Sequence, residues 1–338
     1  MTRAILLALL VTAAACHPSN NNTPDATSTT VDAANHNVDA SQGGNDAPVG
    51  DAAHGDATLG DAMTTANTTV FTIVLENHDY AEIVGSSNAP YLNSLIAAGG
   101  LATNYKDTGH PSLPNYLHMI SGDNQYPGII DVGPNFIWFP AEAANLGSQL
   151  QAAHLKWRSY QEDMGTACKL TDGGAYATKH DPFLYFNDQQ AGPNSLCAAT
   201  NVDYSHFAAD LATNTYRYMW ITPNLTHDGH DPASDPVGAL HTSDTWMSTV
   251  VPAILASPGY QNGGVLLITW DESEGRNGDD PDKIPMIILS PRLKSAGMHS
   301  SVAYTHSSYL ATVEDLLGLP RLPTVTTTAS MKSDFLTP

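Results

Sequence analysis

Two apolar runs in this sequence each end in a pair of oxygen-bearing side chains. Residues 70–75 lead into Glu76-Asn77, and residues 264–270 lead into Asp271-Glu272. Three carboxylates and an amide are hard oxygen donors of the kind a divalent cation takes. Either pair alone is equally well explained as a turn or helix cap after a strand. Together they favour one cation, because the strand ends of an open α/β sheet share an edge where residues distant in sequence can meet.

The run His110-Pro111-Ser112-Leu113-Pro114-Asn115-Tyr116 has the form of a helix start. In the plain structural reading Ser112 caps the helix, Pro114 sits in its first turn and Gly122 ends it. A helix N-terminus also receives anions such as phosphate, through free N–H groups and the helix dipole. A serine there attacks phosphorus once a metal lowers its pKa. Asn115, one turn further on, is placed to donate to a phosphoryl oxygen.

Histidines complete the set. His180 lies in Lys179-His180-Asp181-Pro182-Phe183, and His227, Asp228 and His230 crowd the run 223–231 after a predicted strand. A single histidine is most often a core or surface residue. Several imidazoles and carboxylates in one glycine-containing loop point further, since imidazole suits phosphate hydrogen bonding and protonation of a leaving alkoxide. His227 or His230 is expected to supply that proton, which would favour turnover at mildly acidic pH. His306, just before the last predicted helix, reads as a packing residue as readily as a site residue.

The elements that must position these groups follow from periodicity. The 338 residues are 42% hydrophobic, enough for one sizeable core. Strands are predicted at 70–75, 155–160, 216–222, 264–270 and 286–290, and helices at 89–98, 143–153, 242–256 and 308–317. Apolar strands interleaved with helices imply an α/β domain over residues 67–338, with a largely parallel central sheet flanked by helices on both faces.

Residues 1–16 read as an export signal, with Arg3 ahead of an apolar stretch too short to span a bilayer. Ala13-Ala14-Ala15-Cys16 resembles a bacterial lipoprotein box that would lipidate Cys16, departing from it at Ala13, where Leu is usual. An ordinary signal peptide ending in Ala-x-Ala is the other reading. Residues 17–66 lack Lys and Arg and repeat Asp-Ala from Asp25 to Asp61. Such a segment is expected to stay disordered, as a spacer or as a repeat without function. In an exported chain Cys168 and Cys197 pair as a disulfide or remain two buried thiols. The product is then a surface lipoprotein of the outer membrane, or a periplasmic or secreted protein. It meets a membrane only through Cys16. A net charge of −21 speaks against nucleic acid as a partner, because nothing basic is available to neutralise its backbone. The same charge means that a phosphate ester needs a local cation at the site.

These residues carry a resemblance. Leu75-Glu76-Asn77-His78-Asp79-Tyr80, the runs 110–116, 179–183 and 223–231, Trp270-Asp271-Glu272 and His306-Ser307-Ser308-Tyr309-Leu310 are similar, in collinear order over about residues 70 to 320, to the bacterial phosphoesterase family. That family includes acid phosphatases, phosphatidylinositol 3-phosphate phosphatases and phospholipases C. The resemblance implies an alkaline-phosphatase-like fold and one metal bound by Glu76, Asn77, Ser112, Asp271 and Glu272. It makes Ser112 the nucleophile, with His110, Asn115, His180, His227 and His230 around the phosphoryl group. The substrate would be a phosphorylated small molecule or lipid. The chain lacks the long C-terminal extensions of the phospholipases, so hydrolysis of phosphate monoesters, of the acid phosphatase type, is expected ahead of phospholipid headgroup cleavage. An inactive, surface-displayed binding protein is the reading from a different class. A formylglycine sulfatase is disfavoured, since no Cys-x-Pro-x-Arg motif occurs.

Overall fold

The computed structural model describes residues 68–123, 128–140, 143–190, 196–276 and 282–338. The expected export signal, Cys16 and the expected spacer at 17–66 lie outside the described residues. Among the described residues nine strands form one sheet: β1 (Val70–Leu75), β2 (Gly100–Lys106), β3 (Trp157–Gln161), β4 (Asn201–Asp203), β5 (Tyr218–Thr222), β6 (Val265–Trp270), β7 (Lys283–Leu289), β8 (Met298–Ser300) and β9 (Tyr304–Thr305). Their spatial order is β4-β3-β5-β1-β6-β7-β2-β8, with β9 also beside β2. Only β7 runs against its neighbours, β6 and β2; the other ladders are parallel. Every residue of β1 and β6 is buried, so both faces of the sheet are covered where the two central strands run. The expected α/β architecture is therefore the one that forms.

Five helices bear on the argument: α1 (Pro90–Ala98), α2 (Ser112–Ser121), α3 (Leu146–Ala152), α4 (Pro236–Ala256) and α5 (His306–Leu317). α1 packs on α4, and Asp244 of α4 accepts from the backbone N–H groups of Tyr91 and Leu92 at 3.0 and 2.7 Å. Those are first-turn donors of α1, which has no side-chain cap of its own. α2 packs on α5. Gly122 ends α2 at φ 68°, and a Cβ there would meet Thr324 and Val325 side-chain atoms at 2.6 Å.

The element bounds shift from the expected ones for identifiable reasons. The helix expected from 143 begins at Leu146, because Asn145 caps it by accepting from Ser148 N–H at 2.9 Å. The helix expected from 242 begins at Pro236, capped by Asp235; its first turns carry Gly238 and an exposed Val237, which blur the apolar period. The strand expected at 286–290 starts at Lys283. Strands β2, β4, β8 and β9 escape the pattern, being short or broken by Gly, Asn and Lys. Cys168 and Cys197 form a disulfide, with Cα atoms 5.3 Å apart, tying the chain after β3 to the short turn of helix before β4.

Candidate active site

β1 and β6 pair with Leu75 opposite Trp270, so the next residues of each strand leave the sheet side by side. Asp271 N–H donates to the Leu75 carbonyl at 2.9 Å, and Asn77 N–H to Asp271 Oδ1 at 3.3 Å. The register thus brings Glu76, Asn77, Asp271 and Glu272 together, and all four are buried. Asn77 takes a left-handed φ of 54°, which asparagine tolerates better than most residues. On the other flank of β1, the loop after β5 closes on the same strand end, where Glu76 N–H donates to the Asp228 carbonyl at 2.8 Å.

Ser112 is the first residue of α2, not its cap. Pro111 holds the cap position and the serine makes no capping bond. Its Oγ lies 3.2 Å from both Glu76 Oε2 and Glu272 Oε1, either of which can take its hydrogen, and 3.3 Å from Lys179 Nζ, which donates to it. Charged partners outcompete the helix's own N–H groups. Asn115 differs from the free donor expected. Its Nδ2 is shared among the carbonyls of Gly109 and Pro111 and Glu272 Oε2, and its Oδ1 accepts from the Thr108 N–H and hydroxyl. It braces the turn in front of Ser112.

His110, at the rim and half exposed, has Nδ1 3.0 Å from Glu272 Oε2. His180 is buried and stacked on Tyr116, ring centroids 5.1 Å apart. Its Nε2 lies 3.0 Å from Glu76 Oε1 without alignment for a hydrogen bond, and its Nδ1 lies 3.5 Å from Asp228 Oδ2. The Tyr116 hydroxyl donates to Glu76 Oε1 at 2.6 Å. His230 Nδ1 lies 2.9 Å from Asp231 Oδ1. His227 is engaged elsewhere: Nδ1 meets Glu162 Oε2 at 2.9 Å and the ring stacks on Trp246. His306 is buried, donating from Nε2 to the Asp271 carbonyl at 2.6 Å. Its Nδ1 must then accept from the Tyr105 hydroxyl at 2.9 Å. Burial pushes its pKa down to about 3, so it is neutral and positions the backbone of Asp271.

The electrostatics of this end of the sheet are those of crowded acids. Burial raises the pKa of Glu76, against the pull of Lys179, the Tyr116 hydroxyl and His230. Burial and then the negative charges of Glu76 and Glu272 hold Asp271 well above the carboxylate range. Glu272 is pushed up to about 9 by burial and by Glu76, and Asp228 is raised by the same two causes. Lys179 keeps its proton; burial works against the charge, but Glu76, Asp131 and Asp271 outweigh it.

Among the described residues no group of three or more His, Cys, Asp and Glu side chains is already drawn together as a metal cage. The donors nevertheless fit a hard cation. Asn77 Oδ1 and Asp271 Oδ2 are buried without a hydrogen-bond partner, an arrangement that is costly unless something else meets them. The surrounding carboxylates repel one another, and a cation relieves both penalties.

Sequence reasoning passed over Lys179, Asp131 and Tyr116 as site residues. Lys179 Nζ is 2.7 Å from Asp131 Oδ2, and Asp131 Oδ1 accepts from Leu113 N–H at 3.0 Å. The signal for Lys179 was its place beside His180, in a chain with 13 Lys and Arg against 34 Asp and Glu. Asp131 gives no comparable signal. A cavity of about 370 Å³ opens beside these groups, lined by Asp131, Tyr176, Lys179, Leu225 and His230 among others.

The Phosphoesterase family matches residues 86–320. The chain belongs to that family. Membership makes it a hydrolase of phosphoric esters, although the matched span begins after Glu76 and Asn77. A phosphatidylinositol-3-phosphatase of Mycobacterium tuberculosis is 28% identical over 75% of this chain and 77% of its own length. A probable acid phosphatase of Kluyveromyces lactis is 29% identical over 75% of this chain, and a phosphate-repressible acid phosphatase of Penicillium chrysogenum is 28% identical over 74%. The phosphoesterase chain spans 58% and 59% of those two fungal proteins. Its fold is that of the alkaline phosphatase superfamily. A member from Vibrio parahaemolyticus superposes with a TM-score of 0.53 at 11% identity, over 77% of this chain and 68% of the other. The lipoteichoic acid synthase of Listeria monocytogenes gives 0.54 at 12% identity, over 76% and 73%.

Proposed function

We propose that this phosphoesterase hydrolyses phosphate monoesters, with Ser112 as the nucleophile that carries the phosphoryl group between two half-reactions. The observation that carries the reading is the placement of Ser112 Oγ at a helix N-terminus, 3.2 Å from two carboxylates and 3.3 Å from an ammonium. Glu76, Asn77, Asp271 and Glu272, with the serine oxygen, are the residues that would hold one divalent ion. When bound, that ion supplies positive charge that lowers the serine pKa and offsets the charge of the phosphoryl oxygens.

The chain's own groups do the rest. Glu76 Oε2 and Glu272 Oε1 lie within reach of the Ser112 proton and would be ionised, and so able to accept it, with the ion bound. Asn115 keeps the preceding turn rigid, so that Oγ faces the incoming phosphorus. His110 and His180 border the phosphoryl position. His230, on the cavity wall, protonates the leaving oxygen, and a water then attacks the phosphoserine from the side the alcohol has left. Residues 1–16 serve as the export signal, Cys16 as the anchor and 17–66 as the spacer. These assignments rest on sequence pattern; among the described residues no helix is long and apolar enough to cross a membrane.

The monoester reading is preferred to phospholipase C action because the site offers cationic and donor groups beside a small cavity. An inert display protein has no use for so many buried, mutually repelling carboxylates. Acid quench of turnover with p-nitrophenyl phosphate should leave phosphate on Ser112, detected by mass spectrometry and absent in Ser112→Ala, whose rate should fall at least about 10³-fold. Wild-type turnover by folded Ser112→Ala, or phosphocholine released from phosphatidylcholine faster than phosphate from monoesters, would reject the proposal.

A further inference from the structure

The geometry points to Lys179 as the residue by which the site distinguishes phosphate monoesters from diesters, the cation that meets the third unesterified oxygen. This rests on Ser112 being the nucleophile. Lys179 follows Thr178 in a short turn of 3₁₀ helix at Thr178–His180, where successive residues point to different sides. His180 goes into the buried cluster, while Lys179 remains about a fifth exposed on the cavity wall. Its ammonium is 3.3 Å from Ser112 Oγ, so it touches the reacting atom and stands within reach of any phosphoryl group bonded there.

Two further contacts fix the direction of that charge. Asp131 Oδ2 grips the ammonium at 2.7 Å, and Asp131 Oδ1 accepts from the N–H of Leu113, the residue after the nucleophile, at 3.0 Å. One carboxylate therefore ties the lysine to the same helix end that carries the serine, and Lys179 keeps its place relative to Oγ. Asp131 acts through Lys179 and is a positioning residue.

The chemical consequence follows from charge. A transferring monoester presents three terminal oxygens and two negative charges; a diester presents two oxygens and one charge. The rest of the wall is acidic, with Glu76, Asp228, Asp271 and Glu272 all buried close together. A single divalent ion leaves the more highly charged group short of countercharge, and Lys179 is the fixed cation beside the nucleophile that supplies it. For a diester the same ammonium faces an esterified, uncharged oxygen and contributes little.

The test is the ratio of kcat/KM for p-nitrophenyl phosphate to that for bis(p-nitrophenyl) phosphate. Lys179→Gln should lose about 10² to 10³ on the monoester and less than about tenfold on the diester. Lys179→Arg should recover part of the monoester rate. Competitive inhibition gives the same comparison where diester turnover is slow: binding of inorganic phosphate should weaken at least about tenfold, with dimethyl phosphate unchanged. Should Lys179→Gln not fold, Asp131→Asn, which frees the ammonium, should shift the ratio the same way by a smaller factor. Equal proportional losses on both esters, or an unchanged ratio in a folded variant, would overturn the assignment. Absence of phosphate on Ser112 in the wild type is a separate result, and it strikes the nucleophile instead.

Discussion

Glu76 is met from two sides, and the two sides are built differently. Toward β6, ladder register decides everything: Leu75 faces Trp270, so Asp271 and Glu272 arrive with no loop between strand and side chain. Toward β5, the connection runs from Pro223 to Asp235 before α4 begins, and its groups scatter. Asp228 reaches the cluster, His230 stands at the cavity, and His227 turns to Glu162 and Trp246. A strand end carries its next residue to a place dictated by backbone pairing. A long loop lets each side chain settle on its own best partner. Residues of one motif can therefore end in different environments, although the motif reads as a unit.

The sharpest test of this contrast is Asp271→Asn with Glu272→Gln. Bound metal should fall well below one equivalent and phosphatase activity by at least about 10³-fold. The metal-free fold should lose little at neutral pH and should become less sensitive to rising pH, because two buried acids whose ionisation is costly are gone. Stoichiometric metal in the purified double variant would break the strand-end ligand set.

A smaller effect should appear in stability against pH. Glu272 has a folded pKa of about 9 against an ordinary 4.5, raised by burial and by Glu76. A raised folded pKa means stability that is complete below the ordinary value and lost as pH climbs through the folded one. In chelator, the melting temperature should decline by several degrees between about pH 5 and about pH 9, and saturating metal should flatten the slope. A chelated protein that grows more stable over that range would show that the acids are not crowded as described.

The smallest expected effect belongs to the loop. His227→Ala should lower turnover by less than about tenfold, since its Nδ1 is committed to Glu162, and should cost about 1 kcal/mol of stability through that lost bond. A collapse in rate matching that of Ser112→Ala would put His227 back among the groups that touch substrate.

The same contrast explains what was legible in the sequence. The β1 and β6 pairs were readable because six consecutive buried residues announce a central strand, and the polar residue that follows has one place to go. Ser112 was readable for its helix start, and only its reading as the cap fails, since Pro111 holds that position. Propensity predicts a cap, and it is blind to carboxylates arriving from strands far away in sequence. Lys179 and Asp131 were not readable as a pair, because their contact depends on how two connections between elements lie against each other. His306 read as packing, and it does pack, but the hydrogen bond to the Asp271 carbonyl gives that packing a purpose at the site.

The reversal of β7 has a consequence for how this enzyme could be altered. Because β7 runs against β6, the chain that leaves Trp270 comes back at Lys283 on the same end of the sheet, the end that holds the serine and the carboxylates. A parallel successor would have had to cross to the far end and return. Glu274, Gly275 and Arg276, whose amides Asp79 gathers, therefore stand at the same end of the sheet as Lys283. Arg276, whose guanidinium donates to the Asn77 carbonyl at 2.8 Å, is a point on that edge where the rim of the site can be changed with both strand registers left as they are.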